Sequence, residues 1–388
     1  MKKILAAALS LCMATSLAAC SSGASSAKAT TAAPSAAAET TEAAKAESTE
    51  AAKASASAKS DDSEVEIPDA ATVKDRESKA EQVYKYAELN PDDNINSRVA
   101  YKFSEYVYDM SEGRIFVEVN TASTLGDEKT CLNALQMGGG TVDMYRGNTN
   151  SLSDYGIKKL NLFGLPFIFG SREGMWKVLE DPDIGQAFLD EGKEVGANMV
   201  GISYTDEGAR NIFTTKPISG LSDIKGMKIR VPETQLMMDT MKALGAEPTP
   251  ISYSELYTSL QSGVVDGAEN GYPGYYSNKF YEVAPYYLLS KHTFSPGIIL
   301  MAQAKWDALS ADDQKLLREA GEKASEWNQK QIESEEVALK DKLQGLNVTI
   351  IDMSADDLAK AQESCKTVWG QYSSGIEDEL NKIQELQK

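Results

Sequence analysis

Beyond residue 80 the spacing of apolar positions switches back and forth between the helical and the strand period. Val99, Phe103, Tyr106, Val107 and Met110 recur at helical spacing after a polar start, and "RIFVEV" follows as a strand. "GDEKTCLNALQMGGG" predicts a helix closed by glycines, "VDMY" a strand, and the segment from "LFGLPFIF" a buried connection. "DIGQAFLDEGKEVG" predicts a helix and "ANMVGISY" a strand. Further on come the helix "TQLMMDTMKALG", the helix "YSELYTSLQSG" opened by a Ser252 to Glu255 capping box, and the strand "VVDGAE". One long polar helix is expected from Asp312 to about Leu343, with Leu316, Leu317, Ala320, Ala324 and Trp327 as its apolar stripe. The alternation predicts an α/β protein with mostly parallel sheets, whose ligands sit at the carboxyl ends of strands.

Polar residues recur at those ends. "KGMKIRVPE", residues 225–233, reads as a short strand stopped by proline. Ile229 and Val231 point one way and Lys228 and Arg230 the other, so Arg230 is either solvated or aimed at a partner. Tyr204, Asp206 and Arg210 follow "ANMVGIS", Arg146 ends "VDMY", Glu269 and Asn270 end "VVDGA", and Glu88 follows "VYKYA". Each alone reads as a cap or a surface residue; together they fit a pocket that collects polar groups from several strand ends.

The first 80 residues carry no such periodicity. Lys2 and Lys3 precede the apolar run "ILAAALSLCMATSLAAC", which reads as a secretory signal over residues 1–19. The "LAAC" ending at Cys20 resembles a bacterial lipoprotein signal, which implies a lipid-bearing cysteine and an extracytoplasmic, membrane-anchored protein. Residues 21–60 hold 16 Ala, 9 Ser and 5 Thr, too little apolar surface to offset the entropy of ordering, so a disordered tether is expected over 20–78.

Charge and chemistry narrow the function. Nearly all of the net charge of −19 falls on the body after residue 80, and such a surface repels phosphate backbones, which argues against nucleic acid as a partner. Cys131 and Cys365 are 234 positions apart with no framework around them, and read as buried thiols, with pairing outside the cell as the alternative. With His292 the only histidine, metal sites built on two or more histidines are excluded and a Ser-His-Asp triad has one residue to draw on. There is no phosphate loop, no paired CxxC and no dinucleotide fingerprint, so no cofactor or metal is expected.

Several segments, in order, resemble the extracytoplasmic solute-binding proteins (DctP family) of tripartite ATP-independent periplasmic (TRAP) transporters: "LGDEKTCLNALQMG", "LFGLPFIF", "EGARNIFTTKPI", "LSDIKGMKIRVP", "ALGAEPTPISYSELYTSLQSGVVDGAEN", "KFYEV" and "KWDALS". The resemblance implies a two-lobed periplasmic-binding-protein fold, type II-like, with a long helix spanning both lobes. Lobe I is then expected over 79–207 plus about 296–340, lobe II over 208–295 plus about 341–370, and a C-terminal helix over 371–388. It also implies that Arg230 clamps a ligand carboxylate, which its planar, permanently charged fork suits. Within the family the pattern is similar to receptors for uronic and related sugar acids. By position, Arg210 and Arg146 would donate to carboxylate, ring or hydroxyl oxygens, Asn270 would bridge hydroxyl and carboxylate, and Glu88 would accept from sugar hydroxyls. Glu269, Tyr204 and Asp206 complete the expected ligand set. Related members carry asparagine-tryptophan where Gly271-Tyr272 stands, so Tyr272 is expected as a smaller stacking platform, and His292 as a hinge residue. The implied receptor is a monomer that closes on its acid and delivers it to the small and large membrane subunits. A C4-dicarboxylate receptor, a sensor, and an enzyme using Glu88 with Glu269 or Asp206 stay open at this level.

Overall fold

The computed structural model describes residues 65–294 and 296–388; the signal segment, Cys20 and the tether through residue 64 lie outside the described residues. The expected tether is interrupted before 78, because Ala70–Lys79 is an α-helix. Asp69 caps it by accepting from the Thr72 amide, Lys79 reaches back one turn to Asp75, and Arg76 lies over the Tyr108 ring at 4.9 Å. These local bonds hold a helix that buries none of its own residues.

Among the described residues eleven strands form: β1 (Gln82–Ala87), β2 (Ile115–Asn120), β3 (Met144–Asn148), β4 (Met199–Thr205), β5 (Arg210–Thr214), β6 (Lys228–Val231), β7 (Glu247–Pro250), β8 (Gly267–Asn270), β9 (Tyr286–Thr293), β10 (Gly297–Ala302) and β11 (Thr349–Asp352). They make two sheets, ordered β2-β1-β3-β10-β4 and β11-β9-β5-β8-β6-β7. Both sheets are mixed, where mostly parallel ones are expected from the sequence. β1 pairs in parallel with β2 and β3, and β6 with β7 and β8, but β10 runs antiparallel to β3 and β4, and β5 antiparallel to β8 and β9. The connectivity explains this. β4 passes into β5 and β9 into β10, so these strands carry the chain from one sheet to the other and lack the helical crossover that parallel pairing needs.

Each sheet is covered on both faces by apolar side chains. Ile95, Val99, Phe103 and Val107 form the inner stripe of the helix Ile95–Met110, capped by Asn94, and pack under the first sheet. The long helix runs Ala311–Gly345, with Ser310 accepting from the Asp313 amide at its start. Its Leu317, Ala320, Ala324 and Trp327 join the first-sheet core, while Leu339 and Leu343 join a second-sheet core with Phe213, Tyr275 and Tyr287. One rod therefore belongs to both cores.

The helix expected over "DIGQAFLDEGKEVG" is broken into a π-turn at Pro182–Gln186 and a single helical turn at Glu191–Glu194. Four bonds favour the break: the Leu189 carbonyl accepts from the Gly201 amide of β4, and the buried Glu191 carboxylate takes the amides of Lys158, Lys159 and Leu160. Cys131 and Cys365 are free thiols buried in separate cores. At the β4–β5 crossing Gly208 has φ +85°, and a Cβ there would sit 2.2 Å from Glu336 Oε1, so only glycine fits.

Candidate functional site

A cleft of about 590 Å³, open mouth included, is lined from the carboxyl ends of β1, β3, β6 and β8 and from the start of β5. Arg146 of β3, Arg210 of β5, Arg230 of β6 and Asn270 of β8 all line it. The structure thus brings together four residues drawn from four separate strand ends.

The three guanidiniums are all buried, and they differ in what they touch. Arg146 donates from Nη2 to Glu207 Oε2 at 2.9 Å and from Nε to Thr205 Oγ1 at 3.4 Å. Gly297 permits this: a Cβ there would lie 2.2 Å from Thr205 Oγ1 and 2.6 Å from Arg146 Nε. Arg210 donates from Nη1 to Glu207 Oε1 at 2.6 Å and takes both Glu269 oxygens with Nε and Nη2. Glu207 therefore holds one arginine with each oxygen, and Glu269 grips the second in a fork. Burial pushes the Glu269 carboxyl up, but the Arg210 charge and the bonds from His292 and Arg210 bring it down to about 2. Glu207 is likewise lowered, its burial outweighed by Arg146 and Arg210.

Arg230 has no such partner. Its Nε donates to the Ile251 carbonyl at 2.7 Å and its guanidinium carbon lies 5.6 Å from the centre of the Tyr253 ring, but it forms no ion pair among the described residues. Burial, with Arg210 nearby, draws it down to about 10 against the pull of Glu269, which leaves it charged at neutral pH. Arg230 is therefore not spent on a carboxylate among the described residues.

Two carboxyls flank this cluster. Glu88 is buried just behind the wall: its Oε1 accepts from the Asn90 amide at 3.0 Å and from Asn90 Nδ2 at 2.7 Å, and its Oε2 has no protein partner. Glu128 lines the cleft from the start of the helix Glu128–Gln136 and accepts from the Tyr145 hydroxyl at 3.2 Å. Burial raises both toward the neutral form.

Other expected site residues do not line the cleft. Tyr204 donates its hydroxyl to the Gly185 carbonyl at 2.6 Å and packs on Phe163. Asp206 is bound by Arg172 at 2.7 Å and by the Gly208 amide. The turn at 205–208 sends Glu207 inward and Asp206 outward, so neighbouring carboxylates do different work. Tyr272 stacks on Tyr287 with ring centres 4.8 Å apart and lines a separate outer groove beside the long helix. His292 is fully buried behind Glu269, with Nε2 3.3 Å from Glu269 Oε2 and Nδ1 2.9 Å from Ser290 Oγ. Glu269 is covered by Arg210. Glu207, Asn90, Glu128 and Tyr253 were not among the residues read from the sequence. For Glu207 a signal existed, an opposite charge three positions before Arg210; Tyr253 arrives by way of a loop after β7 and had none.

A family model described as bacterial extracellular solute-binding protein, family 7 (DctP), matches residues 86–375. Solved TRAP periplasmic solute-binding proteins align over most of the chain. One from Xanthobacter autotrophicus Py2 with bound β-D-galacturonate has a TM-score of 0.73 and 29% identity, covering 78% of this chain and 99% of that one. Another, from Roseobacter denitrificans OCh 114 with bound L-galactonate, has a TM-score of 0.72 and 31% identity over 80% and 99% of the two chains. A third, from Shewanella oneidensis with bound succinate, has a TM-score of 0.73 and 25% identity over 79% and 99%.

Proposed function

This chain belongs to the DctP family of bacterial extracellular solute-binding proteins, the receptors of TRAP transport rather than enzymes, and we propose that its solute is a hexuronate or related sugar acid held through Arg230. The observation that carries this reading is the unequal treatment of three buried arginines. Glu207 and Glu269 compensate Arg146 and Arg210, so the cleft offers one unpaired guanidinium and suits a single carboxylate. A second carboxylate would find no free cation among the residues lining the cleft, which disfavours a C4-dicarboxylate. Hydroxyls of a polyhydroxylated mono-acid instead find Glu128, Asn148 and Asn270 on the cleft wall, with Glu88 Oε2 unpaired behind it. The galacturonate and galactonate bound in similar proteins support the same substrate class.

Capture then works by closure. The two sheets with their helices act as lobes joined at the β4–β5 and β9–β10 crossings, and an acid gripped by Arg230 on one lobe and by groups near Glu88 on the other stabilises the closed arrangement. The closed monomer is what the membrane subunits read. Lipid on Cys20 and the tether keep it near them, raising effective concentration without a tight interface.

The test is thermal melting of the chain from Ser21 onward against D-galacturonate, D-glucuronate, aldonates, C4-dicarboxylates and amino acids, each at millimolar level. A ligand at a hundred times its dissociation constant adds about 2.7 kcal/mol, a readable shift. A shift with hexuronates or aldonates and none with dicarboxylates is expected. A shift with dicarboxylates alone overturns the substrate.

A further inference from the structure

We propose that Tyr253 is a positioning residue that ties ligand capture at Arg230 to closure of the cleft; this rests on the carboxylate-receptor reading above. Tyr253 belongs to the second-sheet side, in a turn two residues past Ile251. That short segment holds Arg230 from two sides, the Ile251 carbonyl accepting from Nε at 2.7 Å and the Tyr253 ring lying 5.6 Å below the guanidinium carbon. The ring is itself fixed edge-on against Phe280, centres 5.8 Å apart at 86°.

The hydroxyl of Tyr253 does something else. It accepts from Asn270 Nδ2 at 3.1 Å and Asn278 Nδ2 at 2.9 Å on its own side, and donates to Asn90 Oδ1 at 3.1 Å on the first-sheet side. One proton and two lone pairs are all in use, so the phenol is saturated by three amides. Asn90 also accepts from Asn278 Nδ2 at 3.2 Å and passes its own Nδ2 to Glu88 Oε1 at 2.7 Å. A continuous chain of hydrogen bonds therefore runs from Glu88, through Asn90 and Tyr253, to Asn270. It exists only while the two sides touch.

A carboxylate on Arg230 orders the 251–253 segment, and the same segment carries the clasp to Asn90. The clasp closes the mouth behind an acid already on Arg230, so its loss shows chiefly in release. Tyr253→Phe removes the hydroxyl while keeping the ring under Arg230 and against Phe280. It is expected to raise the dissociation rate of D-galacturonate or D-glucuronate about five- to tenfold, with the association rate unchanged and the ligand-free melting temperature within about a degree of the parent. Asn90→Ala, which also removes the bonds to Asn278 and Glu88, should raise the dissociation rate at least as much, and the double variant should be no worse than Asn90→Ala, because the Tyr253 bond is already gone there.

A second measurement needs no ligand. Spin labels on Lys129→Cys and Ser254→Cys, exposed on opposite sides of the mouth, report the spread of inter-lobe distances. Tyr253→Phe should shift that distribution toward longer distances in the ligand-free chain. An unchanged distribution, or a fall in ligand-free melting temperature that accounts for the whole loss of affinity, overturns the clasp. If neither hexuronate binds the parent, the substrate reading has failed, and the distance distribution alone decides for or against Tyr253.

Discussion

Arg210 and Arg230 lie at the ends of two strands that flank β8 in the same cleft, equally buried, and the chain treats them in opposite ways. Arg210 is clamped by Glu269 and Glu207, each gripping it through the guanidinium edge, with His292 behind. Arg230 has one carbonyl and one aromatic face. The difference teaches that a buried arginine is structural or functional according to where its counter-charge comes from: Arg210 finds it in the chain, and Arg230, on the function proposed above, takes it from the ligand.

Breaking Arg210 should produce the largest effect. Arg210→Met leaves Glu269 and one oxygen of Glu207 buried without a cation, and unfolding in urea should show a loss of about 3–5 kcal/mol. A variant as stable as the parent would mean the pair contributes nothing. Arg230→Met, which keeps an unbranched apolar stem and removes the charge, should weaken D-galacturonate by about a hundredfold or more in calorimetry, since the ligand carboxylate is then buried alone. Unchanged affinity would end the clamp.

Acid pH sharpens the contrast. Glu269 has its folded value lowered from 4.5 to about 2, so its contribution is fully present above 4.5 and is lost as pH falls through that value toward 2. The loss amounts to about 3 kcal/mol in the parent and should be largely missing in Arg210→Met, a comparison of two melting curves across pH 2–5. The smallest effect runs the other way. With its buried charge gone, ligand-free Arg230→Met should melt about 2 °C higher than the parent, and a lower melting point would show that Arg230 stabilises the empty cleft.

Much of this was legible before the structure. Helix periodicity located the Val99, Phe103 and Val107 stripe and the long helix to within a few residues at each end, because both bury a single face. Arg146, Arg210, Arg230 and Asn270 were marked by their places at strand ends. What the linear pattern lacks is pairing. Nothing in "YTDEGAR" says that Glu207 turns inward while Asp206 turns toward Arg172, since that is set by the crossing between sheets. Tyr253 is similarly silent, because its partner Asn90 is 163 residues away. The broken helix after Asp181 was hidden for the same reason: Glu191 is spent on three amides of a distant loop.

The helix Ala311–Gly345 has a mechanical consequence. At 1.5 Å per residue it is a beam about 52 Å long, bolted to one sheet by Leu317, Ala320, Ala324 and Trp327 and to the other by Leu339 and Leu343. Between the bolts, Arg98 and Arg172 tether it at Glu335 and Glu336. The proposed closure, by rotating one sheet against the other, must flex this beam or slide its tethers, so the helix sets the stiffness of the hinge and the strand crossings set its axis.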